Sequence, residues 1–326
     1  MDIGTVTGPA GQSPHAPPAP GEGIKEPEEN SLGGRNAPPI RGTTGSAASR
    51  PDDGAEALVR FLAGRRSAVV LSGAGLSTES GIPDYRGVTG RRRPSVPMTF
   101  QEFTADEANR RRYWARSHLG WRAIAQARPN SGHLAVTRLM RSGFVSGVIT
   151  QNVDGLHSAA GAPETIDLHG RLDRVMCLDC GERSARTRLD ERLAQANPGF
   201  RDIAADTNAD GDAELPAARS AEFRVVACEA CRVGTLKPDV VFFGENVPAE
   251  RVQRCYDLVD ASFALLVLGS SLTVMSGLRF ARRAARQGTP VAIVNQGPTR
   301  GDALAALRLD LPLGQTLTAL ADRLGA

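Results

Sequence analysis

Two pairs of cysteines, a polar strand-end run and one histidine carry most of the chemistry legible in this 326-residue sequence. Cys177-Leu178-Asp179-Cys180 and Cys228-Glu229-Ala230-Cys231 are two Cys-x-x-Cys knuckles. Each short loop can aim two thiolates at one ion, and the two pairs together complete a tetrahedral shell for Zn²⁺. A shell of four sulfurs has no open position for a reacting water, so the expected zinc is structural. Redox cysteine pairs are the competing reading. The separation between the knuckles exceeds ordinary zinc-ribbon spacing, which predicts an insertion over residues 181–227. Within it, residues 187–196 read as a helix and 207–212 as a polar loop.

A second constellation is Gln151-Asn152-Val153-Asp154-Gly155-Leu156-His157, which leaves a strand expected at residues 144–150. Asn152 and Asp154 can orient an amide, a ribose hydroxyl or a water; the plain alternative is an Asx turn closed by Gly155. His157 and His169 are the main candidates for a general base among five histidines. We select His169, which lies between the polar strand end and the first knuckle and is followed by Gly170, a residue that allows close backbone approach. The third feature is Gly73-Ala74-Gly75 after the apolar run 68–71. Strand, glycine turn and a helical turn capped by Ser77 or Thr78 would form a phosphate cradle. It is not the ordinary dinucleotide fingerprint: Thr78 stands where the third glycine belongs, and Arg91-Arg92-Arg93 stand where a ribose-binding carboxylate is expected.

These groups need elements to hold them. Residues 68–71, 264–268 and 291–294 are short apolar runs rich in β-branched residues, which read as buried parallel strands. Gly269-Ser270-Ser271 and Asn295 follow the last two, placing small and polar residues where open α/β sheets bind ligands. A helix capped by Asp52 or Asp53 should carry Leu58, Val59, Phe61 and Leu62 and stop at Gly64, and residues 317–324 should close the fold with another. Residues 237–245 read as a strand, or as an edge on which an extended peptide can pair. Arg110-Arg111-Arg112 with Trp114 reads as a solvated helix face with the tryptophan inward rather than a nucleic-acid patch. Cys255, on an expected helix, reads as buried. Residues 1–50, rich in Pro, Gly and Ala, cannot bury enough apolar surface to offset their ordering entropy and read as a disordered tail. A composition 41% hydrophobic with net charge +3 gives no argument for nucleic acid. With no apolar run of about 18 residues and no signal-peptide core, the chain reads as soluble and cytoplasmic, with no membrane partner.

The stretch Gly73-Ala74-Gly75 with Gly81-Ile82-Pro83-Asp84-Tyr85-Arg86, then Thr150-Gln151-Asn152-Val153-Asp154, Leu168-His169-Gly170, both knuckles and Gly269-Ser270-Ser271, in this order, resembles the sirtuins, the NAD-dependent protein lysine deacylases. The resemblance spans nearly all of residues 53–326. Residues 237–245, the long insert and Gly297-Pro298-Thr299-Arg300 look most like its class II branch. It implies an α/β fold: a Rossmann-like parallel-sheet part (51–170 and 235–326) with a small zinc-binding domain inserted (about 171–234), and NAD and acyl-lysine meeting between them. NAD is then consumed. The acyl oxygen attacks the nicotinamide ribose, nicotinamide leaves, and His169 acts as base on the ribose hydroxyls, yielding free lysine and O-acyl-ADP-ribose.

The same resemblance makes Asn152 and Asp154 catalytic partners of His169. It lines the nicotinamide pocket with Gln151, Asn152 and Asp154, and with Asp84, Tyr85 and Arg86; Val153 is a further cofactor contact. Gly73, Ala74, Gly75 and Ser77, with Gly269, Ser270, Ser271, Asn295, Gln296, Gly297 and Leu313, complete the cofactor contacts; Ser270, Ser271 and Asn295 lie on the adenosine side. Val240, Val241, Phe242, Phe243 and Gly244 would hold the substrate backbone, and Cys177, Cys180, Cys228 and Cys231 the zinc. Tyr85 stands where many members carry Phe. The Tyr-x-x-Arg pair of the desuccinylase branch is absent after Arg86, which argues against succinyl or malonyl selectivity. The rival readings are a protein mono-ADP-ribosyltransferase on the same fold and a non-catalytic NAD- or zinc-binding interaction module.

Overall fold

Apolar β-branched runs have no polar face to offer water, so they pair with one another and are covered on both sides. The computed structural model describes residues 50–64, 67–85, 97–203, 208 and 211–326. Residues 1–49 of the expected tail, Arg86, Arg91, Arg92, Arg93 and residues 207, 209 and 210 of the expected loop lie outside these residues. The described chain runs α1 (Pro51–Leu62), β1 (Ala68–Ser72), α2 (Phe100–Ala105), α3 (Glu107–Gln126), α4 (Ser131–Arg141), β2 (Val145–Thr150), α5 (Leu156–Ala159), β3 (Thr165–Asp167) and β4 (Gly170–Cys177). It continues through β5 (Arg183–Ala185), α6 (Arg186–Ala196), α7 (Ala217–Ala221), β6 (Leu236–Val240), α8 (Ala249–Asp260), β7 (Ala264–Leu268), α9 (Met275–Arg286), β8 (Val291–Val294), β9 (Leu307–Leu309) and α10 (Leu313–Arg323).

Six strands form one parallel sheet in the order β3-β2-β1-β7-β8-β9. Strand alternation divides its core in two. Ala68 and Val70 pack with α1, α4 and α10, whereas Val69 and Leu71 pack with α8 and α9. The order reverses between β1 and β7, which is the switch point where such sheets open a crevice. Ser72 is level with Thr150 and Leu268, and Leu268 with Val294, so four strands present their carboxyl ends together.

The second sheet is antiparallel, in the order β5-β4-β6. Pro238 sits in β6 on its edge, where a missing N–H is tolerated. Its core joins Tyr113, Trp114 and Trp121 of α3 to Val175, Leu189, Leu193, Phe223 and Phe242. Trp114 points inward as expected, and its Nε1 donates to Leu236 O at 3.1 Å. Cys255 is fully buried on α8.

Two local expectations are corrected. Asp52 and Asp53 do not cap α1: the helix begins at Pro51 after an extended Arg50, and both carboxylates lie in its first turn, facing the positive dipole end. Nor does the glycine loop enter a capped helix. Ala74–Leu76 and Thr78–Ser80 are single 3₁₀ turns without side-chain caps, because the Ser77 hydroxyl is engaged elsewhere. Gly81, at φ +84°, ends the second turn in a conformation that favours glycine.

Candidate active site and metal centre

The glycines of the β1 loop also serve the packing of two loops. A Cβ on Gly73 would lie 2.8 Å from Gly269 O, and one on Gly75 would lie 2.9 Å from the same oxygen. Gly73 N donates to Leu268 O at 3.0 Å and Gly75 N to Gly269 O at 2.9 Å. Their lack of side chains lets the β1 and β7 loops touch across the switch point, and these two N–H groups are engaged within the chain rather than left for a phosphate. Gly269 itself has φ +64°. Beyond it, buried Leu272 takes φ +52°, an unusual conformation for a branched residue. Its N–H is held by Ser270 Oγ at 3.2 Å.

Polar groups from β1, β2 and β7 interlock at this edge. Asn152 Nδ2 donates to Gly73 O at 3.1 Å and to Ser77 Oγ at 3.0 Å. Ser77 Oγ donates to Asp154 Oδ2 at 2.7 Å, and Asp154 Oδ1 accepts Leu156 N at 2.8 Å, which closes the Asx turn and opens α5. The turn and the polar constellation are therefore one structure. Gln151 Nε2 reaches across β1 to Ser270 Oγ at 2.8 Å. It has room because residue 277 is glycine, where a Cβ would approach Gln151 Oε1 to 2.3 Å.

The two candidate histidines lie in different surroundings. His157 is 2% exposed and bonds through Nε2 to Ser72 Oγ at 2.9 Å. Ser72 in turn donates to Thr150 Oγ1, so His157 is a buried donor beneath the strand ends. Its ring meets that of His133 at 5.0 Å, and burial pushes His157 down to about 3 and His133 to about 4. His169 is only partly buried. Its Nδ1 lies 2.8 Å from Gln151 O, and a carbonyl only accepts, so Nδ1 carries the proton. The lone pair of the neutral ring is then on Nε2, 2.8 Å from Ser276 Oγ. Burial lowers the pKa of His169, the Gln151 carbonyl opposes this, and Arg251 adds to it. A neutral imidazole with a fixed tautomer is the form a general base requires.

The other expected residues are spread around this edge. Asn295 Nδ2 donates to Gln296 O at 3.0 Å and Gly297 O at 2.9 Å, so the turn after β8 is closed by its own side chain. Gln296 is exposed, Ala74 half-buried, and Val153 O accepts Leu172 N at 2.9 Å. Ser271 Oγ lies 3.0 Å from Thr273 Oγ1. Leu313 is buried in the core, with Cδ1 2.7 Å from where a Gly269 Cβ would be. Asp84 and Tyr85 are half-buried, and the Tyr85 ring meets Phe243 at 6.2 Å, edge to face. The 240–244 segment lies beside His169, with Val241 N donating to His169 O at 2.8 Å. Sequence reading missed Ser276 and Gly277. The signal was a second pair of small residues shortly after Gly269-Ser270-Ser271, at the start of a helix.

The four knuckle cysteines converge. All their sulfurs lie within 4.8 Å of one another, with Cys177–Cys231 and Cys180–Cys228 at 3.8 Å. A tetrahedron with Zn–S of about 2.3 Å has edges of about 3.8 Å, so this donor set fits Zn²⁺. The backbone N–H groups of Val233 and Gly234 lower the pKa of Cys231, while the neighbouring thiols raise that of Cys180. Gly234 is required here: a Cβ would sit 2.3 Å from Cys177 Sγ. With four sulfurs present the shell is closed, so the metal holds the knuckles together.

Residues 73–276 match the Sir2 family. An NAD-dependent protein deacetylase 1 of Streptomyces coelicolor is 61% identical over 257 residues, covering 79% of this chain and 86% of the relative. One from Mycobacterium avium is 53% identical over 273 residues, covering 82% and 94%. A solved structure of Sir2 with a p53 peptide and NAD+ is 27% identical with a TM-score of 0.66, covering 83% of this chain and 98% of that one. Family match, high identity and shared architecture agree: this chain belongs to the Sir2 family.

Proposed function

We propose that this protein is an NAD-dependent protein lysine deacetylase, moving the acetyl group from lysine to ADP-ribose with release of nicotinamide. The observation that carries the reading is His169, neutral, with Nδ1–H held by Gln151 O and its Nε2 lone pair at the edge where Asn152, Asp154 and Ser270 gather. NAD, as co-substrate, supplies the ribose carbon that accepts the acyl oxygen. The chain's own contribution is to hold it and to move a proton. His169 Nε2 takes a proton from a ribose hydroxyl, and the Gln151 carbonyl stabilises the resulting imidazolium through Nδ1–H. Gln151, Asn152 and Asp154 with Asp84 and Tyr85 bound the nicotinamide side. The turns at 73–77, 269–271 and 295–297 bound the rest of the cofactor, and Val240–Gly244 carries the acetyl-lysine peptide.

The reading assigns residues 51–170 and 235–326 to the NAD-binding part and about 171–234 to the zinc part. Four unoxidised thiols around a metal suit a reducing cytoplasm, and no described helix is long and apolar enough to cross a membrane. The test is mass spectrometry of wild type and His169→Ala with NAD and acetyl-lysine peptides. Loss of acetyl mass with matching O-acetyl-ADP-ribose, absent in the variant, is the expected result. Peptide gaining ADP-ribose mass instead, or a fully active His169→Ala, would overturn it.

A further inference from the structure

We propose that the buried ion pair Lys237–Glu245 is a clasp that positions the acetyl-lysine-binding segment Val240–Gly244 against His169. The inference rests on the deacetylase reading and adds to it two residues outside the sets it assigns to substrate and cofactor.

Lys237 lies on β6 and is 1% exposed. A buried ammonium is costly unless it is paired and hydrogen-bonded. Lys237 Nζ meets Glu245 Oε2 at 3.0 Å, donates to Val240 O, and sits 4.8 Å from the centre of the Phe242 ring. The same Glu245 oxygen accepts Phe242 N at 2.8 Å, and Glu245 N donates to Phe242 O at 3.0 Å. One ammonium and one carboxylate thus tie the beginning, middle and far end of the segment. Burial lowers the lysine's pKa and Glu245 opposes that shift, which keeps the pair coupled.

A strand followed by a turn requires neither charge, and an apolar side chain at 237 would fill the same space at lower desolvation cost. What the pair adds is a fixed register. The segment it closes is bonded to the backbone of the base through Val241 N and His169 O, and to α2 through Phe100 N and Phe243 O at 2.9 Å. Gln101 Nε2 holds Gly244 O at 3.0 Å. Releasing the clasp lets the segment shift relative to His169 while the strand-end edge that serves the cofactor keeps its own bonds.

The experiment uses the full-length protein carrying Lys237→Met or Glu245→Gln. It measures binding of a fluorescent acetyl-lysine peptide by anisotropy, together with kcat and the separate KM values for peptide and NAD. Because displacement of a positioning element by about 1 Å can cost up to about a hundredfold in rate, Lys237→Met is expected to weaken peptide binding and lower kcat/KM for the peptide by about tenfold. NAD KM stays within about twofold, because the strand-end edge that serves the cofactor keeps its own bonds. If Lys237→Met does not fold, Glu245→Gln carries the test with the same direction, since it keeps the shape and the acceptor for Phe242 N. Unchanged peptide affinity in a wild type that deacetylates would overturn the clasp alone, as would equal rises in both KM values with a fall in kcat, the mark of general loosening. A wild type that binds no acetyl-lysine peptide would overturn the deacetylase reading and the clasp with it.

Discussion

The parallel sheet and the cysteine-bearing sheet hold their loops in place by opposite means. β1, β7 and β8 are buried along their whole length, and the loops at their ends are tied by main-chain bonds such as Gly73 N to Leu268 O and Gln151 N to Ser72 O. Apolar burial and register supply the order there. β5 is three residues long and mostly exposed, and the two knuckles are held by four sulfurs. Around them the order comes from charge. Arg186, 1% exposed, lies 3.5 Å from Asp190 and over the rings of Trp114 and Trp121 at 5.1 and 5.4 Å, while His118 meets Asp190 at 2.5 Å. The first region is assembled by what its strands hide from water; the second adds a four-sulfur cluster and paired charges to an apolar core of its own.

The sharpest way to break this contrast is to remove the metal. Structural zinc contributes on the order of 10 kcal/mol to small domains, so a chelator or Cys228→Ser should abolish hydrogen-exchange protection in β4, β5 and the knuckles. Protection in β1 and β7 should remain; equal loss in both sheets would show that the two regions are one cooperative unit. Next in size is His169→Ala, expected to lower deacetylation by about 10²- to 10⁴-fold with unchanged thermal stability, because the ring lies at the mouth rather than in the core. A melting temperature that falls with activity would mean that His169 supports the fold.

Leu265→Ala, at a fully buried position of β7, should cost about 2–5 kcal/mol in denaturant unfolding. A small cost would deny that apolar packing holds the parallel sheet. A graded effect is acid sensitivity. His133 and His157 titrate near 4 and 3 when folded, below their ordinary value of 6.5. As pH falls below 6.5 the unfolded chain takes up protons that the folded rings refuse. Stability is therefore full above that pH, and declines toward pH 4 by at most about 1.4 kcal/mol per unit per ring. Melting curves from pH 7 to 4 should show the slope, and His133→Gln with His157→Gln should flatten it.

The elements were mostly legible from short-range pattern. The apolar runs at 68–71, 264–268 and 291–294 became β1, β7 and β8 within a residue, and the helix expected at 187–196 begins one residue earlier. Signals that depend on a side chain choosing among partners were not. Ser77 reads as a cap because it follows a glycine turn, yet its hydroxyl joins Asp154 and Asn152, 77 and 75 residues away. Gly73 and Gly75 read as sites of close backbone approach, and that the β7 loop packs against them was not legible.

Donor types and their order along the chain are written in the sequence itself: two thiol pairs, a histidine ahead of the first, and small or polar residues at each strand end. These follow from spacing within a few residues. Only the folded chain decided that His157 lies beneath the strand ends on Ser72, 85 residues away, while His169 faces their mouth beside Ser276, 107 residues away. The same holds for Gln151 reaching Ser270 across 119 residues. Such pairings are set by strand register and by the face each side chain takes, and neither exists until the sheet has formed.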